Sequence, residues 1–323
     1  MNSAASTLTA LVSAMRHEAD GVVTVELRPA APDVVFPPFD PGSHIDLHLP
    51  NGLIRNYSLC EPDDGQQRYI IGVLNDRNSR GGSRYVHEQL RVGSAIPISA
   101  PRNNFALEAA AAHTVLVAGG IGITPIWCML QQLVAQGRSV ELLYCARSLR
   151  EAAFVPHIRE LCGDGIPARL HFDDEQGAPP GLRELLAGKG ADSHYYCCGP
   201  APMLDAFEAA CESLGYANVH LERFAAAPNQ SELSSDAFEV RLAKSSLTLR
   251  VPGGKSILDA VLDAGINYEH SCREGVCGSC EARILEGEAD HRDGILSKKE
   301  REAGKTMMIC VSRCKRGPLI LDI

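Results

Sequence analysis

The chain has 323 residues, 45% hydrophobic and 22% charged, the composition of a folded protein with room for two or three domains rather than of a disordered or fibrous one. A formal net charge of −9 argues against nucleic-acid binding, which relies on clustered Lys and Arg, and is compatible with a protein partner that carries a basic patch. No apolar run approaches the roughly 18 to 20 residues of a membrane span, and Met1–Ala14 lacks the basic start and unbroken apolar stretch of an export signal, so no membrane association and a soluble, cytoplasmic location are expected.

The first hundred residues alternate β-branched runs with turn signals. Val22–Leu27, Ile45–Leu49 and Tyr69–Leu74 read as strands, and Pro37-Pro38, Asp40-Pro41-Gly42 and Pro50-Asn51-Gly52 punctuate them. This spacing predicts an antiparallel barrel or sandwich. Two short stretches in it carry chemistry: Arg55-Asn56-Tyr57-Ser58 and Arg80-Gly81-Gly82-Ser83. An Arg can hold a phosphate, an aromatic can cover a flavin ring, and a Ser hydroxyl can bond a ring nitrogen. Taken singly, these are also ordinary strand and turn residues. His44, His48, His87 and His113 show no partner at motif spacing and read as surface or core residues.

From Thr114 the pattern changes. A strand over 114–118 leads into Gly119-Gly120-Ile121-Gly122-Ile123-Thr124-Pro125 and a helix to about Gln136. Strands follow at 140–145, 168–172 and 193–198, with helical stretches between them, which predicts a Rossmann-like parallel sheet. The small residues of the first turn let the backbone approach a pyrophosphate at a helix N-terminus. Cys197-Cys198-Gly199-Pro200, at a second strand end before the helix 201–214, would line the same crevice. Arg147 and Arg150 could bind a 2′-phosphate, whereas Asp173-Asp174 would repel one if close, so NADH and NADPH both stay open on these residues.

Residues 225–236 are small, polar and nonperiodic, as in a linker. Beyond them, Phe238–Leu242 and Leu247–Val251 read as a hairpin, 256–264 as a short helix and 319–322 as a closing strand. Seven of the twelve cysteines are scattered before this region, and isolated ones such as Cys128 read as reduced core thiols. The other five crowd into it. Cys272-x4-Cys277-x2-Cys280, with Cys310 after 29 intervening residues, has the plant-type [2Fe–2S] ligand spacing. Gly275 and Gly278 sit where a loop must fold tightly and turn its N–H groups to the cluster sulfurs. Zinc sites more often use paired C-x2-4-C units. Cys314 is the rival fourth ligand. Cys310 is preferred because it follows the apolar run Met307-Met308-Ile309, while Cys314, between Arg313 and Lys315, reads as exposed. His291 lies between ligands but is surplus to four thiolates.

Together these stretches, with Gly287-Glu288-Ala289-Asp290-His291-Arg292-Asp293, resemble the phthalate dioxygenase reductase and vanillate demethylase reductase family from about Leu11 to Ile323. The resemblance implies a multidomain α/β and β protein. A flavin-binding antiparallel β-barrel would span 1–105, an NAD-binding α/β domain 106–227, a linker 228–236 and a β-grasp ferredoxin domain 237–323. It implies that Arg55 and Ser83 contact the flavin phosphate and Tyr57 and Ser58 the isoalloxazine, with Gly81 and Gly82 also cofactor-binding. Gly120, Gly122 and Thr124 would approach the NADH pyrophosphate, Cys198 would lie near the nicotinamide, and Gly199 would also be cofactor-binding. Ser58, Cys198 and Phe224, the last shielding the flavin ring, would form the reaction centre. Implied cofactors are NADH, FMN (with FAD not excluded by composition) and one [2Fe–2S] cluster. The implied activity is NADH oxidation with electrons passed to a terminal oxygenase. An electron-transfer subunit of another redox complex and a non-catalytic iron–sulfur sensor are the alternatives.

Overall fold

The computed structural model describes residues 7–224 and 236–323. They fall into two compact units, one ending at Glu222 and one beginning at Arg223. The expected linker, 228–236, lies outside the described residues except for Asp236.

The first unit opens with an antiparallel sheet of β1 (Leu8–Ala19), β2 (Val22–Pro29), β3 (Ser43–His48), β4 (Ile54–Ser58), β5 (Tyr69–Leu74), β6 (Ala95–Ile98) and β7 (Arg102–Asn103). Its order is β4-β3-β6-β1-β2-β5, with β7 on β3. A bridge between Leu59 and Ile71 joins the two ends and closes the barrel, which removes the exposed edges a flat sheet would leave. Alternation along β3 and β4 separates their faces. Ile45 and Leu47 enter the barrel core with Val25, Leu27 and Ile71, while Ser58 and its cross-strand partner His44 take the other face. Helix α1 (Gly82–Glu88) follows β5.

In the same unit, β8 (Thr114–Gly119), β9 (Val140–Ala146), β10 (Ala168–Phe172), β11 (His194–Cys198) and β12 (Val219–Glu222) form a parallel sheet of order β10-β9-β8-β11-β12. Helices α2 (Ile123–Ala135) and α3 (Val155–Cys162) pack on one face, α5 (Leu182–Leu186) and α6 (Ala201–Leu214) on the other, and α4 (Asp173–Gln176) follows β10. The strands are apolar on both faces because both are covered. One core continues from this sheet into the barrel, with Ala19, Val22, Cys60 and Ile70 joining Leu116, Ile126, Leu130 and Tyr196. The Gln131 side chain donates to the Cys60 carbonyl at 3.1 Å across the same boundary.

The second unit is a mixed sheet of β13 (Phe238–Leu242), β14 (Leu247–Val251), β15 (Glu281–Asp290), β16 (Thr306–Met308) and β17 (Arg313–Leu321), in the order β14-β13-β17-β15-β16. Helix α7 (Ile257–Asp263) is capped by Ser256, whose hydroxyl accepts from the Asp259 N–H, and it buries Ile257, Leu258 and Val261 in the sheet's core. Helix α8 (Lys298–Ala303) begins with a capping box of Ser297 and Glu300. The hairpin β13–β14 has the expected bounds. The closing strand is longer than expected and takes in Cys314, a half-buried strand residue rather than an exposed one.

Candidate functional site

Three groups of residues are gathered by the fold. The first lies beside α1, where Gly82 faces Arg55 so closely that a Cβ on it would stand 2.6 Å from Arg55 Cγ and 2.8 Å from Nε. The absent side chain lets the guanidinium stem cross the first turn of α1. Arg55 Nη1 also donates to the Ile54 carbonyl at 2.8 Å. Ser83 Oγ donates to Ser79 Oγ at 2.9 Å, and Ser79 Oγ in turn accepts from the N–H groups of Gly81 and Arg84. A cation laid over a helix start is chemistry suited to a phosphate. Tyr57, on β4, packs its ring on the barrel core, and burial pushes its hydroxyl up to about 12.

The second group lies at the carboxyl ends of β8, β11 and β12. A Cβ on Gly122 would meet the Cys198 carbonyl oxygen at 2.2 Å, so the turn after β8 and the turn after β11 pack backbone to backbone. Gly119 is held equally close by Met203 and Pro200. Gly120, by contrast, has a φ of +53° and open space where its side chain would be. The structure thus divides the expected pyrophosphate residues. Gly120 offers bare backbone to a ligand, while Gly122 and Thr124 are buried, Thr124 Oγ1 donating to the Ile121 carbonyl at 3.0 Å. Gly199 packs against Gly119.

Strand alternation then decides between the paired cysteines. Cys197 points into the α5–α6 core, and Cys198 into the core shared with the barrel. There the Cys198 sulfur lies 4.0 Å from Glu222 Oε2, and Ser58 Oγ lies 3.5 Å from the same oxygen, both long contacts. Desolvation pushes the Glu222 carboxyl up to about 8, opposed by the contact with Ser58. Desolvation first, and then the Glu222 charge, hold the Cys198 thiol well above its usual range. Glu222 is the residue the sequence reading passed over. The sequence marks neither Glu222 nor its strand β12, which ends just before Arg223-Phe224. Phe224 is an exposed residue of the second unit. His44 is a buried histidine, held down to about 4 by desolvation and then by Arg102.

The third group is in the second unit. Cys272, Cys277, Cys280 and Cys310 are all buried, and none of the twelve cysteines forms a disulfide. They stand in two hydrogen-bonded pairs. Cys272 with Cys277 is one pair, in which the shared bond draws Cys277 down and pushes Cys272 up; Cys280 with Cys310 is the other. Among the described residues no three His, Cys, Asp or Glu side chains surround a single ion position. Two thiol pairs match a donor set of two thiolates per iron rather than a tetrad on one metal. N–H groups of Glu274 and Val276 point at the Cys272 sulfur, the former at 3.3 Å, and that of Gly275 points at Cys310. The donor set and its N–H surroundings fit a two-iron cluster.

A closed antiparallel barrel, a parallel sheet with a glycine turn, and a four-thiol loop on a mixed sheet are the parts of an iron–sulfur oxidoreductase that takes electrons from a pyridine nucleotide through a flavin. Residues 240–315 match the 2Fe-2S iron-sulfur cluster binding domain family. The chain is 46% identical to phenoxybenzoate dioxygenase subunit beta of Ectopseudomonas oleovorans over 97% of its own length and 96% of that protein's. It is 42% identical to vanillate O-demethylase oxidoreductase of Pseudomonas sp. (strain HR199 / DSM 7063), covering 97% and 99% of the two chains. The solved structure of phthalate dioxygenase reductase, described as a modular structure for electron transfer from pyridine nucleotides to [2Fe–2S], superimposes with a TM-score of 0.70 at 35% identity over 98% of each chain. The chain belongs to this family of oxygenase-system reductases. No helix among the described residues is long and apolar enough to cross a membrane.

Proposed function

We propose that the chain oxidises NADH and delivers its electrons one at a time to a terminal oxygenase, with FMN as the flavin. The observation that carries this reading is the convergence of Ser58, Cys198 and Glu222 at the strand ends, in a chain that also presents two buried thiol pairs. When bound, the flavin supplies the exchange between a two-electron hydride and single electrons, and the cluster supplies the one-electron relay.

The chain's own residues bind, orient and hold protons. Arg55 and the start of α1 grip the flavin phosphate, and Tyr57 covers the ring. Ser58 and Cys198 close the space where the nicotinamide carbon must approach, within the roughly 3 to 3.5 Å that a transfer requires. Glu222, with its raised pKa, keeps a proton on its carboxyl near neutrality and places it next to the Ser58 hydroxyl. Gly120 admits the pyrophosphate to bare backbone. Cys272, Cys277, Cys280 and Cys310 hold the irons.

The preference for NADH over NADPH is supported by two carboxylates that would repel a 2′-phosphate bound close to them. Asp173 and Asp174 open α4 at the carboxyl end of β10, and the Asp174 N–H donates to the Arg147 carbonyl at the end of β9. Arg150 is engaged by Asp20 of the β1–β2 turn at 3.1 Å. Twelve cysteines without a disulfide suit the reducing cytoplasm. The barrel is assigned to 1–105, the nucleotide domain to 106–227 and the ferredoxin domain to 237–323.

The test is to supply NADH to the isolated chain and follow ferricyanide and cytochrome c. Both should be reduced. A subunit active only inside a larger complex would give little NADH oxidation with either acceptor, and an iron–sulfur sensor would give none.

A further inference from the structure

The segment Asp290–Leu296, part of the stretch that closes the cysteine loop in sequence, has no role in the chemistry described above. Asp293 is nevertheless fully buried, at 0% exposure, and burying a carboxylate is costly unless it is hydrogen-bonded. Its Oδ2 accepts from the N–H groups of Ile295 at 3.2 Å and Leu296 at 2.8 Å, and its own carbonyl accepts from Arg301 Nη2 at 2.6 Å. The carboxylate and the guanidinium lie 3.7 Å apart. The turn so fixed begins with Gly294, whose N–H donates to the Gly275 carbonyl at 2.8 Å.

Gly275 is the third of the four residues between Cys272 and Cys277. Its φ is +70°, and a Cβ on it would stand 2.6 Å from Val311 Cγ2 and 3.1 Å from Asp293 Cα. The peptides on either side aim N–H groups at cysteine sulfurs, those of Glu274 and Val276 at Cys272 and that of Gly275 at Cys310. Its carbonyl must therefore face away from the sulfurs, and Gly294 is what receives it.

We infer that Asp293 is a positioning residue for electron acceptance: by fixing the Gly294 turn it holds the Gly275–Val276 peptide with its carbonyl away from the sulfurs and the Val276 N–H toward Cys272. A [2Fe–2S] cluster gains a negative charge when it takes an electron, and N–H···S bonds favour the reduced form. A carbonyl turned toward the sulfurs would disfavour it. The inference rests on the reading of the four thiols as cluster ligands.

The experiment uses the full chain and begins with iron and acid-labile sulfide content. Absence of iron from the unsubstituted protein would overturn the ligand reading itself. With iron present, the midpoint potential and the g values of the reduced cluster are compared among the unsubstituted chain, Asp293→Ala and Asp293→Asn. Asp293→Ala should make electron acceptance about tenfold less favourable, ~59 mV for one electron, and alter the g values. Asp293→Asn retains an oxygen for Ile295 and Leu296 and should keep the g values of the unsubstituted protein. An Asp293→Ala protein with full iron and unchanged potential and g values overturns the inference, as does an equal change in both variants. If Asp293→Ala holds no iron, Arg301→Gln loosens the same turn from a half-exposed position; changed g values then support the brace and unchanged ones overturn it.

Discussion

Ser58 Oγ lies 3.5 Å from Oε2 of Glu222, a contact between residues 164 positions apart that joins a barrel strand to the last strand of the parallel sheet. Among the described residues Glu222 is the carboxyl that meets both Ser58 and Cys198, and its raised pKa fixes the sign of its effect on stability. The folded value of about 8 stands above the ordinary carboxyl value of 4.5 because burial disfavours the charge. Over that interval the unfolded chain releases the proton while the folded chain keeps it, so Glu222 lowers stability progressively as pH rises from about 4.5 to about 8 and adds no further slope above. Glu222→Gln should remove this part of the slope. Thermal midpoints of the two proteins should agree near pH 4.5 and diverge in favour of the variant by pH 8; parallel profiles would show that the carboxyl is already ionised at neutrality.

The fit of Arg55 over Gly82 leads to a flavin prediction. A Cβ at position 82 would meet the Arg55 side chain, so Gly82→Ala should displace the guanidinium without removing it. Loss of a charge-assisted hydrogen bond of about 1.5 to 3 kcal/mol corresponds to roughly ten- to hundredfold weaker flavin binding, and Arg55→Ala should act alike. Fluorescence titrations with FMN and FAD measure both variants and show which flavin the unsubstituted protein prefers. Undiminished affinity in both variants would remove Arg55 from the phosphate site.

Nucleotide preference turns on the carboxyl end of β10. Replacing Asp173 and Asp174 together with Ser should raise kcat/KM for NADPH relative to NADH by about tenfold, ~1.4 kcal/mol, through loss of like-charge repulsion. Ferricyanide reduction with each nucleotide gives the ratio. A ratio that does not move would place the 2′-position elsewhere.

The thiol pairs can be separated from the flavin site. Cys277→Ser should lose most of its iron, because it removes one of the four thiolates the cluster needs, yet keep flavin and ferricyanide reduction. Cytochrome c reduction should fall with the iron. Iron analysis and the visible spectrum of the purified variant check this, and a variant with full iron would point to another ligand.

Much of this protein was legible in the sequence because its signals are local. The spacing of Cys272, Cys277 and Cys280, the glycine turn after the strand at 114–118 and the hairpin of β13 and β14 each depend on residues close together in the chain. The spacing of strands and turns marks the barrel, but its closure by Leu59 and Ile71 and the pairing of β4 with β3 depend on contacts between separate segments. Alternation from β11 sends Cys198, rather than Cys197, toward the barrel only once both faces of the sheet are covered. Glu222 had no motif, because its role comes from where β12 ends beside β11. The glycines divide in the same way. The sequence marked Gly120 and Gly122 alike, and only tertiary packing distinguishes open backbone at Gly120 from the close contact of Gly122 with the Cys198 carbonyl. Ligand spacing and turn composition are properties of a few consecutive residues. Burial, raised pKa values and backbone-to-backbone contact arise only when the folded chain excludes water between segments far apart in sequence.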